Sequence, residues 1–261
     1  MNLKKYSVFI LLLFITHSII GQINNINDVI IKTEKLKMLT QRLAKNYIMK
    51  GILPNDPKIK KQLEEDNELF TNNLLELTEN ALNEEIEIEF QKLNLSWMLM
   101  NRILQQKYDG ASAVKVIKYA EKMNNEINII RGMISKTTKL KSVQLLGISA
   151  EGNTLSQQLI LYYMAYKAKL RYNEIPDRFE QTRAKLYEII KILLEQSQYD
   201  PDLKTDEGIQ MYVEMIKGDY DKQRKNITLK SKVHPKTANM IINKMSENFE
   251  LLTNIIYEKF N

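Results

Sequence analysis

The sequence predicts an all-α protein, two tandem antiparallel four-helix bundles placed end to end. Three observations lead there. Helix breakers are scarce, with eight glycines and five prolines in 261 residues, while the good helix formers Leu, Lys, Glu, Met and Gln are abundant. Apolar residues recur in alternating steps of three and four, the seam of a helix that packs on other helices. Finally, the pattern of the first half returns in the second.

The helices follow in order. In the segment Lys32 to Gly51, Leu36, Leu39, Leu43 and Tyr47 form an apolar face. Asp56 is an N-cap with Pro57 at the first helical position, ahead of Ile59, Leu63, Phe70, Leu74 and Leu77. Ile86, Phe90, Leu93, Trp97, Met100 and Leu104 make the third stripe, and Val116, Ala120, Met123, Ile127, Ile130 and Ile134 the fourth. A fifth helix runs through Ile148 to Ala168. Phe179, Leu186, Ile190 and Leu193 mark a sixth, ending before Pro201. Ile209, Tyr212, Met215 and Ile216, opened by Thr205, mark a seventh. The eighth carries Ala238, Ile242, Met245, Phe249, Leu252 and Ile256, with Pro235 at its start.

Leu39-Thr40-Gln41-Arg42-Leu43 lines up with Leu155-Ser156-Gln157-Gln158-Leu159, and Tyr47 falls on Tyr163. Lys122-Met123 matches Lys244-Met245 at nearly the same separation, which indicates duplication of a unit of about 115–120 residues. One apolar stripe cannot bury itself, whereas four antiparallel ones close a core. The expected domains are residues 24–139 and 140–261. No proline or glycine separates them before Gly147, so the fourth helix is expected to continue into the fifth through Lys139–Leu146.

Lys4 and Lys5 precede an uncharged run from Tyr6 to Ile20, and Gly21 is small enough for cleavage before Gln22. Residues 1–21 therefore read as a signal peptide, and the expected location is periplasmic or secreted. The competing reading is an uncleaved N-terminal anchor, but the run is shorter than the roughly 20 residues of a membrane span. Loss of both lysines lowers the formal charge of +6 by two. Export separates the chain from nucleic acid, so its basic balance does not imply a nucleic-acid partner.

At the duplicated segment the sequence resembles the PilJ-type N-terminal sensor domain of type IV pilus chemotaxis transducers. That family carries a first-helix motif like I-x-x-A-G-x-Q-R-M-L-S-Q-R. Met38-Leu39-Thr40-Gln41-Arg42-Leu43-Ala44-Lys45 matches its second part, and Leu155-Ser156-Gln157-Gln158 matches again, with Ser149-Ala150 at the Ala-Gly position. The first copy has Thr33-Glu34 there. The domain is similar to the periplasmic part of nitrate/nitrite sensor kinases, whose first helix binds the anion at a dimer interface. The resemblance implies ligand contacts at Lys37 and Arg42, which take the places of the family arginines; the second copy has Asn153 and Gln158. It also implies a small anion as ligand, and a membrane signalling partner or a homodimer.

At roughly 100° per residue, Lys37, Gln41, Ala44 and Ile48 form a face turned away from the core stripe. This polar-plus-small face suits a partner helix, with an anion between Lys37 and Gln41. The candidate ligand-binding residues are thus Lys37, Gln41 and Arg42, and the charges assign any anion to the first half. A solvated face, with Arg42 in a rim salt bridge, is the simpler reading of the same residues.

No catalytic residues, cofactor or metal site are expected. The only histidines are His17 and His234, and cysteine is absent, so neither a Ser-His or Cys-His pair nor a two-histidine zinc site can be assembled. The expectation is a non-enzymatic sensory or ligand-binding module without a signalling output of its own. The alternative is a structural or protein-interaction bundle with no small-molecule ligand.

Overall fold

The computed structural model describes residues 25–138 and 140–260; the leader read at residues 1–21 lies outside them. Among the described residues there are nine helices and no strands, so the chain is all-α. The first half contains α1 (Ile26–Ile52), α2 (Pro57–Glu79), α3 (Glu84–Leu104) and α4 (Gly110–Thr137). The second contains α5 (Lys141–Lys167), α6 (Ile175–Tyr199), the single turn α7 (Pro201–Lys204), α8 (Glu207–Asn226) and α9 (Pro235–Phe260). None of these helices is long and apolar enough to cross a membrane.

Asp56 caps α2 as expected, accepting from Lys58 N. Asn83 accepts from Ile86 N and Asp109 from Ser112 N at the starts of α3 and α4. Asn25 and Asp28 form a reciprocal capping box on α1. Asp206, rather than Thr205, caps α8, accepting from Ile209 N. The core stripe of α8 also differs from expectation. Val213 and Tyr220 are buried beside Ile209 and Ile216, whereas Met215 is 39% exposed. Packing against α6 and α9 turns Val213 and Tyr220 inward and leaves Met215 at the surface.

In the first half α1 packs on α2, α2 on α3, α3 on α4 and α4 back on α1. In the second half α5, α6, α8 and α9 close the same ring. The two rings meet through α1 and α5, the most extensive helix pairing in the molecule. That pairing is parallel and in register: Ser142 bonds Asn27, Lys37 bonds Glu151 and Lys45 bonds Gln157. The halves therefore lie side by side along α1 and α5, which corrects the end-to-end expectation.

The uninterrupted fourth-to-fifth helix is corrected with it. Contacts such as Gln41 to Ala120 make α4 antiparallel to α1, so a parallel α5 demands a reversal of the chain. The reversal needs neither proline nor glycine. Thr137 Oγ1 donates to Ile134 O, Thr138 Oγ1 accepts from Leu140 N, and Thr138 is extended. Such local side-chain bonds compete with helix continuation.

Both α1 and α5 are buried on nearly every side, as a central helix must be. The apolar core runs continuously through both halves.

Candidate functional site

The α1–α5 seam, flanked by α4 and α9, concentrates the buried polar side chains. Of the row Lys37, Gln41, Ala44 and Ile48, Lys37 meets a partner helix, and it is α5 of the same chain. Lys37, 1% exposed, donates from Nζ to Glu151 Oε2. Gln41 Nε2 reaches Ala120 O on α4 at 3.4 Å, and its Oε1 has no hydrogen-bond partner among the described residues. Arg42 points to α2, where Nε donates to Asp66 Oδ2 at 2.8 Å and Nη2 to Oδ1. Asn46 Nδ2 adds a third bond to Asp66 at 3.2 Å. The three candidates thus reach three different helices and do not converge. Both cations among them already have a carboxylate.

Position Lys45 was missed, although it continues the Lys37, Gln41 row by one turn and the i, i+4, i+8 spacing would have found it. It is 0% exposed, and Nζ donates to Gln157 Oε1 at 3.1 Å and Asn243 Oδ1 at 3.4 Å. Among the described residues no carboxylate pairs with it. Burial, helped by the Arg42 charge and opposed by Asp66, lowers its pKa to about 7. Gln157 is itself held, donating to Ser246 Oγ at 2.8 Å and Asn243 Oδ1 at 3.2 Å.

Three turns earlier, Glu34 is 2% exposed. Arg131 Nε approaches its Oε1 to 2.9 Å, and Arg131 Nη1 lies 3.8 Å from Glu151 Oε2. Neither Glu34 oxygen receives a directed hydrogen bond, so the Arg131 contact is one of charge. Burial pushes the Glu34 carboxyl up, Lys37 and Arg131 pull it down, and Glu151 adds to the rise. Gly147 makes room for Arg131, since a Cβ there would overlap the guanidinium. Gly152 does the same for the Phe249 ring. Nothing in the order of the sequence pairs Glu34 or Glu151 with α4.

The halves repeat these contacts. Arg42 binds Asp66 on α2, and in the matching place Thr182 of α6 donates to Gln158 at 3.5 Å. Gln41 reaches α4 as Gln157 reaches α9. Tyr47 OH donates to Lys107 O ahead of α4, and Tyr163 OH to Val233 O ahead of α9. The α1–α5 seam is thus an internal pseudo-twofold interface within one chain. Among the described residues no group of three His, Cys, Asp or Glu side chains is placed to hold a metal ion. Comparison with models of known families, with curated proteins and with solved structures gives no match to this chain.

Proposed function

We propose that the protein is an exported, non-enzymatic binding module whose sensory element is the α1–α5 seam, and that its ligand is a small anion held at Lys45. The carrying observation is the contrast among the seam cations. Lys37 and Arg42 are matched by Glu151 and Asp66, while Lys45 is fully buried with only amide oxygens as hydrogen-bond acceptors among the described residues, Asp66 acting on it through charge without pairing. A buried ammonium without an anion is costly, and an arriving anion would offset that cost. The parallel α1–α5 pairing also supplies within one chain the partner helix that the PilJ-type resemblance places across a dimer interface.

The test is calorimetric titration with nitrate, nitrite, formate and acetate. Binding is expected to tighten from about pH 8 to about pH 6 with uptake of a proton, because the anion favours charged Lys45. A ligand at about 100 times its Kd should add about 2.7 kcal/mol of stability. Lys45→Met should abolish the effect, and Asn153→Ala should leave it nearly unchanged. Mass spectrometry of the exported chain should find its N-terminus at or near Gln22; intact Met1 in a membrane fraction would support the anchor.

The second reading, an interaction bundle without a ligand, is favoured by the internal matching of Lys37 and Arg42. Failure of every anion to bind would establish it in place of the first.

A further inference from the structure

The helix ends divide the charge of the molecule. The α1–α2, α3–α4, α5–α6 and α8–α9 connections meet at one end. Lys50 Nζ donates to Gln106 O at 3.4 Å, Lys236 pairs with Asp56 at 3.1 Å, Lys167 Nζ donates to Leu229 O at 3.1 Å, and Gly110 lies against Leu170. This end is basic. Lys167, Lys169 and Arg171 stand without an acid between Ala165 and Asn173, and the stretch from Lys222 to Lys236 holds six cations and no Asp or Glu. The opposite end is acidic, with six glutamates and no cation from Glu76 to Glu89. Asp200, Asp202, Asp206 and Glu207 add to it, although Lys141 pairs with the first two and Lys259 with Asp206.

Helix stability does not call for this pattern. A helix start favours acids, and α3, which starts at the acidic end, has Glu84, Glu85 and Glu87 in its first turn. By contrast, α2 and α9 start at the basic end without an acid in the first turn, and Lys58 and Lys236 stand there instead. The carboxylates of this end do not neutralise it. Asp56 takes Lys236, Glu64 and Glu65 take Lys60 and Lys61, and Glu174 takes Arg178. Lys115, Lys118, Lys169 and Arg171 are exposed and lack an ion pair among the described residues. They border a concavity of about 760 Å3 whose lining includes no carboxylate. Lys222, Arg224, Lys225, Lys230 and Lys232, beside them on the same end, are likewise exposed and without an ion pair among the described residues.

We propose that this end of the molecule docks on a bilayer surface that contains anionic lipids, with the helices upright and the acidic end turned away. Because the two halves lie side by side, the cations cover a broad end face rather than one cleft, and a plane of negative charge fits such a face. Tyr166, 39% exposed, lies among the cations with exposed Pro54 and half-buried Leu53 and Leu170. Lysine and arginine stems can lie along apolar surface with their charges at the phosphates, and tyrosine settles at the headgroup level. Each cation that reaches an anionic surface strengthens partitioning about fivefold. The acidic end is about 40 Å away, the length of the 27-residue α1. At about 10 Å of screening length in 0.1 M salt, its repulsion does not reach the lipid. The face is remote from the buried α1–α5 seam and does not depend on anion binding at Lys45.

The experiment sediments the purified protein with vesicles of phosphatidylglycerol and phosphatidylcholine in equal parts, and with phosphatidylcholine vesicles as the control. Binding is expected on the anionic vesicles alone and should weaken as salt rises. Lys169→Gln with Arg171→Gln, and Lys230→Gln with Lys232→Gln, should each weaken it about tenfold or more, in chains that remain folded by circular dichroism. Lys191→Gln with Lys204→Gln removes the same charge far from the face and should change binding by less than about twofold. No binding to the anionic vesicles, equal binding to phosphatidylcholine, or equal weakening by the remote pair would each overturn the proposal. So would salt-sensitive self-association, or capture of soluble polyphosphate, without vesicle binding. Those results would give the face to the acidic end of a second copy or to a polymer.

Discussion

Replacing Lys45 by Met should stabilise the protein near neutral pH, and the gain should fade as pH rises. Burial lowers the folded-state pKa of Lys45 to about 7, against 10.5 for a lysine in water. Between those values the unfolded chain binds the proton that the folded chain has released, so stability rises with pH across this window. Below about pH 7 the lysine is charged in both states, and the full cost of burying that charge is present. At about 1.4 kcal/mol per pKa unit this cost is on the order of 5 kcal/mol. Met is unbranched and of similar length, and it removes the charge. It also leaves Gln157 Oε1 and Asn243 Oδ1 without the Lys45 donor, at about 1 kcal/mol each. The net expectation is a gain of about 3 kcal/mol at pH 6–7, falling towards zero or below near pH 10. Urea denaturation of wild type and variant at several pH values measures it, and the difference between the two cancels the other titrating groups. A variant less stable than wild type at pH 6, or a difference that does not change with pH, would refute the reasoning.

Arg42→Ala should destabilise by about 3–5 kcal/mol in the same denaturation assay, because it leaves the buried Asp66 carboxylate without its ion pair. Gly152→Ala should cost about 1–3 kcal/mol, since its Cβ overlaps the Phe249 ring and must push α9 from α5; loss of near-ultraviolet circular dichroism at lower temperature would report it. Lys141→Ala, which removes an exposed lysine from Asp200 and Asp202, should leave the denaturation midpoint nearly unchanged, because solvent screens such a pair. Leu39→Ala, in the core stripe of α1, should cost about 2–5 kcal/mol.

Stripes such as Ile86 to Leu104 and Val116 to Ile134 were legible because burial on one side of a helix imposes a local period. Asp56 and Pro57 announced a helix start because capping involves neighbours in sequence. The duplication was legible at Leu39–Leu43 and Leu155–Leu159, and the second face of α1 at Lys37 and Gln41. In α8 the row expected through Met215 was not the one buried, because contact with α6 and α9 turns Val213 inward instead.

The sequence by itself determined an all-helical, duplicated chain and a first helix with two contact faces, because these follow from periodicity and spacing along the backbone. Tertiary structure alone decided that α5 runs along α1 and that the chain reverses direction between α4 and α5. It also decided that Glu151 and Asp66 take the charges of Lys37 and Arg42. Which carboxylate meets which cation depends on the register of helices more than 100 residues apart for Lys37 and Glu151, and a period within one helix carries no record of that register. The same holds for Lys45, whose lowered pKa arises from what surrounds it: α5 and α9 bring amide oxygens rather than a carboxylate to its ammonium.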